Sequence, residues 1–156
     1  MHPTVVLNVV GLTPALIGAA TPNIARLARD GAQRPLRSIM PAVTCSVQAT
    51  FLTGLLPSGH GAVGNGWLFR DLMEVWLWRQ SNRLLSGERI WDAAKKRDTR
   101  FTCANLFWWY AMASGADITV TPRPIYKADG RKIPDSYSEP PELRDELNEK
   151  LGAFPL

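Results

Sequence analysis

The chain opens on a nearly continuous apolar run, Thr4-Val-Val-Leu-Asn-Val-Val10, whose polar exception is Asn8. β-Branched residues without alternation predict a strand buried on both faces of a parallel sheet. The period then changes. Thr21 as an N-cap, Pro22 at the first helical position, apolar Ile24, Leu27 and Ala28, and a closing Gly31 predict a short amphipathic helix. Residues 34–40 predict a second strand, with Pro35 placing it at an edge or delaying its start. From Thr44 to Thr53 a helix is expected, ended by Gly54. Val47 and Phe51 stand four apart on it, and Ser46, Ala49 and Thr53 are small enough for close packing.

Residues 57–66 hold Pro57 and four glycines and predict a shaped loop. Met73 to Trp78 reads as a strand. Glu88 to Asp98 reads as a helix with Ile90, Trp91, Ala93 and Ala94 inward, followed by a strand over Phe101 to Leu106. This alternation predicts an α/β fold. From 121 onward Pro122, Pro124, Pro134, Pro140 and Pro141 break a polar stretch into loop. A last helix, about 141–151, then sets Leu143, Leu147 and Leu151 on one stripe, with Glu146 and Lys150 paired outside. The expected division is a folded portion over 1–120 and a Pro-rich loop plus helix over 121–156. The apolar ending Ala153-Phe154-Pro155-Leu156 predicts truncation.

A length of 156 residues by itself suits one domain, and 46% apolar with 21% charged residues excludes disorder and collagen-like repeats. Two cysteines cannot staple a fold of this size. No apolar run reaches the roughly 18 residues of a membrane span, and no basic stretch precedes the first apolar run. The expectation is a cytoplasmic protein with no membrane partner and reduced thiols at Cys45 and Cys103. The charge is uneven. Residues 1–70 carry Arg26, Arg29, Arg34, Arg37 and Arg70 against Asp30 alone, so the whole net charge of +4 sits in that half and favours an anionic ligand there. Two histidines in total are few for a centre built on transition metals.

The most informative stretch is Pro41-Ala-Val-Thr44-Cys45-Ser46, a strand-to-helix junction with hydroxyls at the helix start, where backbone N–H groups and the helix dipole favour an anion. A hydroxyl here also serves as an ordinary helix cap. The context decides between them. Pro41 to Thr44, then Thr53-Gly54, Pro57, His60-Gly61 and finally Asn65 resemble, in order, the motifs of the nucleotide pyrophosphatase/phosphodiesterase family of the alkaline phosphatase superfamily. Strand 4–10, Gly11-Leu12 and the helix from Thr21 to Gly31 look like its N-terminal elements. Ile90-Trp91 and the run Cys103 to Trp108 look like its later helix and the strand ending in Phe-Trp.

The resemblance implies a three-layer α/β/α fold with a mostly parallel sheet, here its N-terminal portion. It implies hydrolysis of phosphodiester or pyrophosphate bonds in a small phosphorylated substrate. Thr44 would be the nucleophile, activated by one of two divalent metal ions, zinc being the expected identity, and esterified in the intermediate. Asn65 would donate its amide to a phosphoryl oxygen. Trp108 matches the family's tryptophan near the substrate, with Phe107 beside it, and His60 is expected to be a structural loop residue. Two positions depart. Val10 stands where the family has a metal-binding Asp, so Asn8, on the same side of the strand, is the candidate ligand. Cys45 replaces a Phe that stacks on the base. The remaining metal ligands belong to later family sequence.

Two other readings compete. One is a catalytically incomplete relative that binds a phosphorylated ligand or a partner. The other is a nucleic-acid module, suggested by a pI near 9.4 and six tryptophans. The basic residues form no cluster and match no module pattern, so specific nucleic-acid binding is not expected.

Overall fold

The structure is a computed structural model, and residues 2–153 are described. The chain forms two compact units, one reaching to Arg37 and the other beginning at Ser38.

In the first unit a 3₁₀ turn, Pro14–Leu16, precedes helix α1, Pro22–Asp30. Thr21 does not cap α1 through its side chain. Its hydroxyl instead donates to Leu16 O at 2.8 Å and accepts from the Gly18 N–H at 3.0 Å, closing the preceding turn. The strand expected over residues 4–10 is absent, as is the one over 34–40. Val5, Val6, Leu7, Val9 and Val10 are all exposed, and no described residue pairs with the segment. An apolar run becomes a strand only when a neighbour completes its ladder.

The second unit starts with helix α2, Thr44–Thr53, which Gly54 ends in the left-handed conformation at φ 71°. Its buried stripe is Cys45, Gln48, Ala49 and Leu52, spaced as one helix face. Phe51, four residues after Val47, lies on the flank of that stripe and is exposed. Where a loop was expected, a short helix α3, Pro57–His60, turns the chain back. Strands β1, Gly66–Phe69, and β2, Glu74–Leu77, form an antiparallel hairpin with Gly66 opposite Leu77. A 3₁₀ turn, Asn82–Leu84, and the loop that follows it lead to helix α4, Ile90–Arg97, which buries Trp91 and leaves Ile90 exposed. Gly87 in that loop is constrained chiefly by its backbone. It has φ 87°, and a Cβ there would stand 2.5 Å from Leu55 Cδ1.

Strand β3, Ala104–Leu106, runs parallel to β4, Ile118–Pro122. A small hairpin of β5, Ile125–Tyr126, and β6, Lys132–Ile133, follows. Strand β7, Ser136–Glu139, then returns antiparallel to β4, and helix α5, Glu142–Leu151, closes the unit. The chain is therefore mixed α/β. Its largest sheet among the described residues has three strands in the order β3-β4-β7, with one parallel and one antiparallel pair, which is not the mostly parallel sheet expected. The Pro-rich stretch is also more ordered than its composition suggests. Pro122 ends β4, Pro124 and Pro134 lie between strands, and Pro140 follows β7, so no proline interrupts a strand interior.

Two apolar clusters hold this unit together. Cys45, Ala49, Ala62, Leu85 and Tyr110 form one, with Trp67, Leu84 and Trp109 against it. Leu52, Trp91 and Ala116 form the other, with Phe101, Cys103 and Trp108. Helix α2 contributes to both, so it is the element around which the rest packs. Because Trp91 is 2% exposed, Trp91→Ala is expected to lower stability by about 3–5 kcal/mol. Urea unfolding should show a lower midpoint; an unchanged one would remove Trp91 from the core.

Candidate active site

Thr44 is the first residue of α2, after an extended Val43, and no side chain caps the helix. The capping role open to Thr44 and Ser46 is therefore not taken by either. Thr44 is half-buried, and its hydroxyl bonds no described residue. Ser46 Oγ is fully buried and likewise lacks a partner.

Asn65 comes to this helix start from twenty residues away. Its Oδ1 accepts the Cys45 N–H at 3.0 Å. That bond fixes which end of the carboxamide meets the helix and leaves Nδ2, with two donors, without a described partner. The hairpin carries Asn65 there, since Asn65 O accepts the Trp78 N–H at 2.9 Å across its open end.

Cys45 points inward. It is 1% exposed and bonds to the Tyr110 hydroxyl. Burial pushes its thiol pKa up, an effect the Tyr110 bond opposes. Burial likewise drives Tyr110 above its ordinary value, so both groups stay protonated at neutral pH. Gln48, one turn further along α2, accepts the Trp109 N–H at 2.7 Å.

His60 is completely buried, and both ring nitrogens are used within the protein. Nδ1 accepts the Ala62 N–H at 3.1 Å, which leaves Nε2 as the donor to Thr50 Oγ1 at 3.0 Å. It ties the loop after α2 to the helix. Arg89, which the sequence pattern did not single out, is buried beyond this loop. Its Nη2 donates to Asn82 O and Leu85 O at 2.7 and 2.8 Å, and its Nη1 to the Ser86 and Gly87 carbonyls. Burial lowers its pKa, against the pull of Asp92.

The aromatic run after β3 is a turn, with left-handed φ values of 63° at Phe107 and 58° at Tyr110. Turning sends successive side chains in different directions, which is how four neighbouring aromatics are accommodated. Phe107 is exposed. Trp108 is half-buried, edge-on to Phe51 at 6.1 Å and packed against the Trp91 cluster. Trp109 lies against the Cys45 cluster and stacks on Trp78 at 5.1 Å. Tyr110 is in the core.

The structure thus brings Asn65 to the helix that Thr44 begins, and sets Trp108 one element away. Asn8 lies exposed in the other unit. Among the described residues no three His, Cys, Asp or Glu side chains gather as a metal site. His60 and Cys45 are already committed to protein partners. The groups present do not fit a two-metal centre.

The sequence model of the type I phosphodiesterase / nucleotide pyrophosphatase family matches residues 4–155. The chain belongs to that family. Phosphodiesterase and nucleotide pyrophosphatase activity is accordingly what the family performs, generally with metals. No curated protein and no solved structure matches the chain significantly. No described helix is long and apolar enough to cross a membrane.

The buried His60 gives a pH test. Its pKa lies below the usual 6.5 because burial, and then the Arg89 charge, disfavour the imidazolium. As pH falls below 6.5 the unfolded chain takes up a proton that the folded chain refuses, so stability declines towards the lower folded-state pKa. The thermal midpoint should drop between about pH 7 and pH 5, and His60→Gln should flatten that dependence. An equal slope in the variant would show that His60 is not the group responsible.

Proposed function

We propose that this chain supplies the nucleophile and an anion-stabilising donor for hydrolysis of phosphodiester or pyrophosphate bonds. The observation that carries the reading is the bond from the Cys45 N–H to Asn65 Oδ1, which holds a carboxamide against the first turn of the helix that Thr44 begins. Membership of the family supplies the reaction class.

In this reading the phosphoryl group meets the start of α2, where unpaired backbone N–H groups and the helix dipole favour negative charge. Thr44 Oγ1 attacks phosphorus, an ester of Thr44 forms as the P–O bond to the alcohol or phosphate breaks and that group leaves with the hydroxyl proton, and water later cleaves the ester to release the phosphate and restore the Thr44 hydroxyl. Asn65 Nδ2 donates to a non-bridging oxygen as charge builds there. The buried Cys45 and Tyr110 keep the helix start fixed and remain protonated. The described side chains include no ligand set for the family's metals, so these roles are limited to binding, attack and charge stabilisation.

Hydrolysis of an aryl phosphodiester in Zn²⁺- or Mn²⁺-containing buffer tests the assignment. Thr44→Ala should abolish turnover, and unchanged turnover would sink the nucleophile. Asn65→Asp separates two roles of one residue, because it keeps the acceptor for the Cys45 N–H and removes the Nδ2 donors. A loss of about 10²–10³ in kcat with an unchanged unfolding midpoint is expected. A variant as active as the native chain would rule out donation by Asn65.

A further inference from the structure

A groove lies at the far end of α2 from Thr44, roughly 13 Å along the helix at a rise of about 1.5 Å per residue. Its volume is about 480 Å³, within the range of small-molecule sites. Its walls are Phe51, Leu52 and Leu55, from the end of α2 and the turn after it, and Ile90 and Ala93 from α4. Phe51, Leu55 and Ile90 are exposed, so the apolar lining is open to solvent.

The lining also includes a buried cation. Arg89 borders the groove and is 6% exposed. Four backbone carbonyls take its Nη groups, whereas its Nε has no partner among the described residues. A guanidinium bound to carbonyls keeps its whole charge, and that charge disfavours the imidazolium of His60. Arg89 also precedes α4, whose first-turn N–H groups have neither an intrahelical acceptor nor a side-chain cap. Of the two nearby acids, Glu88 lines the groove but is held by Lys96 Nζ at 2.5 Å, and Asp92 lies beside Gly115, outside the lining.

We propose that this groove binds an aliphatic monocarboxylate, with the carboxylate at the start of α4 beside Arg89 and the chain between Phe51, Leu55 and Ile90. The head group supplies the acceptor that the first-turn N–H groups lack and a countercharge for the guanidinium, in surroundings where charge-assisted bonds are strong. The chain covers apolar surface that water otherwise meets. An inorganic anion would satisfy the positive end and leave the walls wet, and a neutral alkane would cover the walls and leave the cation uncompensated. The inference does not depend on the phosphate chemistry at Thr44.

Titration calorimetry of the full chain with octanoate, and with octanol as the same chain without the charge, tests this. Octanoate should bind at one site, about 10-fold tighter than octanol or more, the scale of one charge-assisted hydrogen bond. Equal binding of the two, or no saturable binding of octanoate, overturns the proposal. Leu55→Trp fills the groove without changing its charge, and Ile90→Asp sets a carboxylate at an exposed position on its wall. Each variant, with an unfolding midpoint near that of the native chain, should lose octanoate binding. Binding that survives both substitutions places the acid elsewhere and overturns the groove. An acetylated trileucine peptide that binds more tightly than octanoate, and loses that binding when its C-terminus is amidated, would overturn the choice of occupant in favour of a protein C-terminus.

Discussion

A buried helix rich in polar side chains has to find each of them a partner, and α2 is such a helix. Its ten residues include no charge. Leaving a buried amide or hydroxyl unpaired costs about as much as a whole hydrogen bond contributes. Gln48 is met by Trp109, Thr50 by His60, and Cys45 by Tyr110 through its sulfur and by Asn65 at its N–H. Each bond brings in a different segment, so the loop after α2, the first hairpin and the aromatic turn are all arranged around one set of polar demands. Ser46 Oγ and the half-buried Thr44 hydroxyl are the exceptions. With no carboxylate in its first turn, the helix start also keeps its positive end of the dipole uncompensated.

The elements legible in the chain are those whose signals are local. Pro22 and Gly31 bracket α1, and Gly54 stops α2, because proline fixes its own φ and glycine reaches the dihedrals of a helix end, both regardless of surroundings. The run from Thr4 to Val10 shows the opposite case. Its residues state a preference for a β environment, but a strand exists only through a neighbour, and none of the described residues supplies one. After residue 121 the number of prolines suggests loop, but their positions decide the structure. At strand ends they are compatible with a ladder, and β7 pairs with β4 between them.

At the candidate site, Asn65 alone would read as a turn residue before a glycine, and the ordered family motifs are what drew attention to it. Gln48 carried its own signal, as the one long polar side chain on an otherwise small and apolar helix. Arg89 carried none, because a guanidinium that will bind four carbonyls looks, in sequence, like any surface arginine. Trp78 and Trp109 stand far apart in the chain, and only the hairpin and the aromatic turn bring them together. Val47 and Phe51, the two periodic apolar positions of α2, define a stripe in sequence as readily as the residues that are actually buried.

Gly87 limits how the chain can change. Its left-handed backbone is the restriction, because the atom a Cβ would meet, Leu55 Cδ1, is the end of an exposed side chain that can turn aside. Shortening residue 55 would make room for a side chain but would leave the backbone unsuited to one, and relaxing the backbone would move a carbonyl that Arg89 binds. No single compensating substitution opens this position to variation. Any sequence drift in the loop must therefore pass through residues 82–86 and around a fixed glycine, which ties the history of this surface segment to that of the buried arginine beneath it.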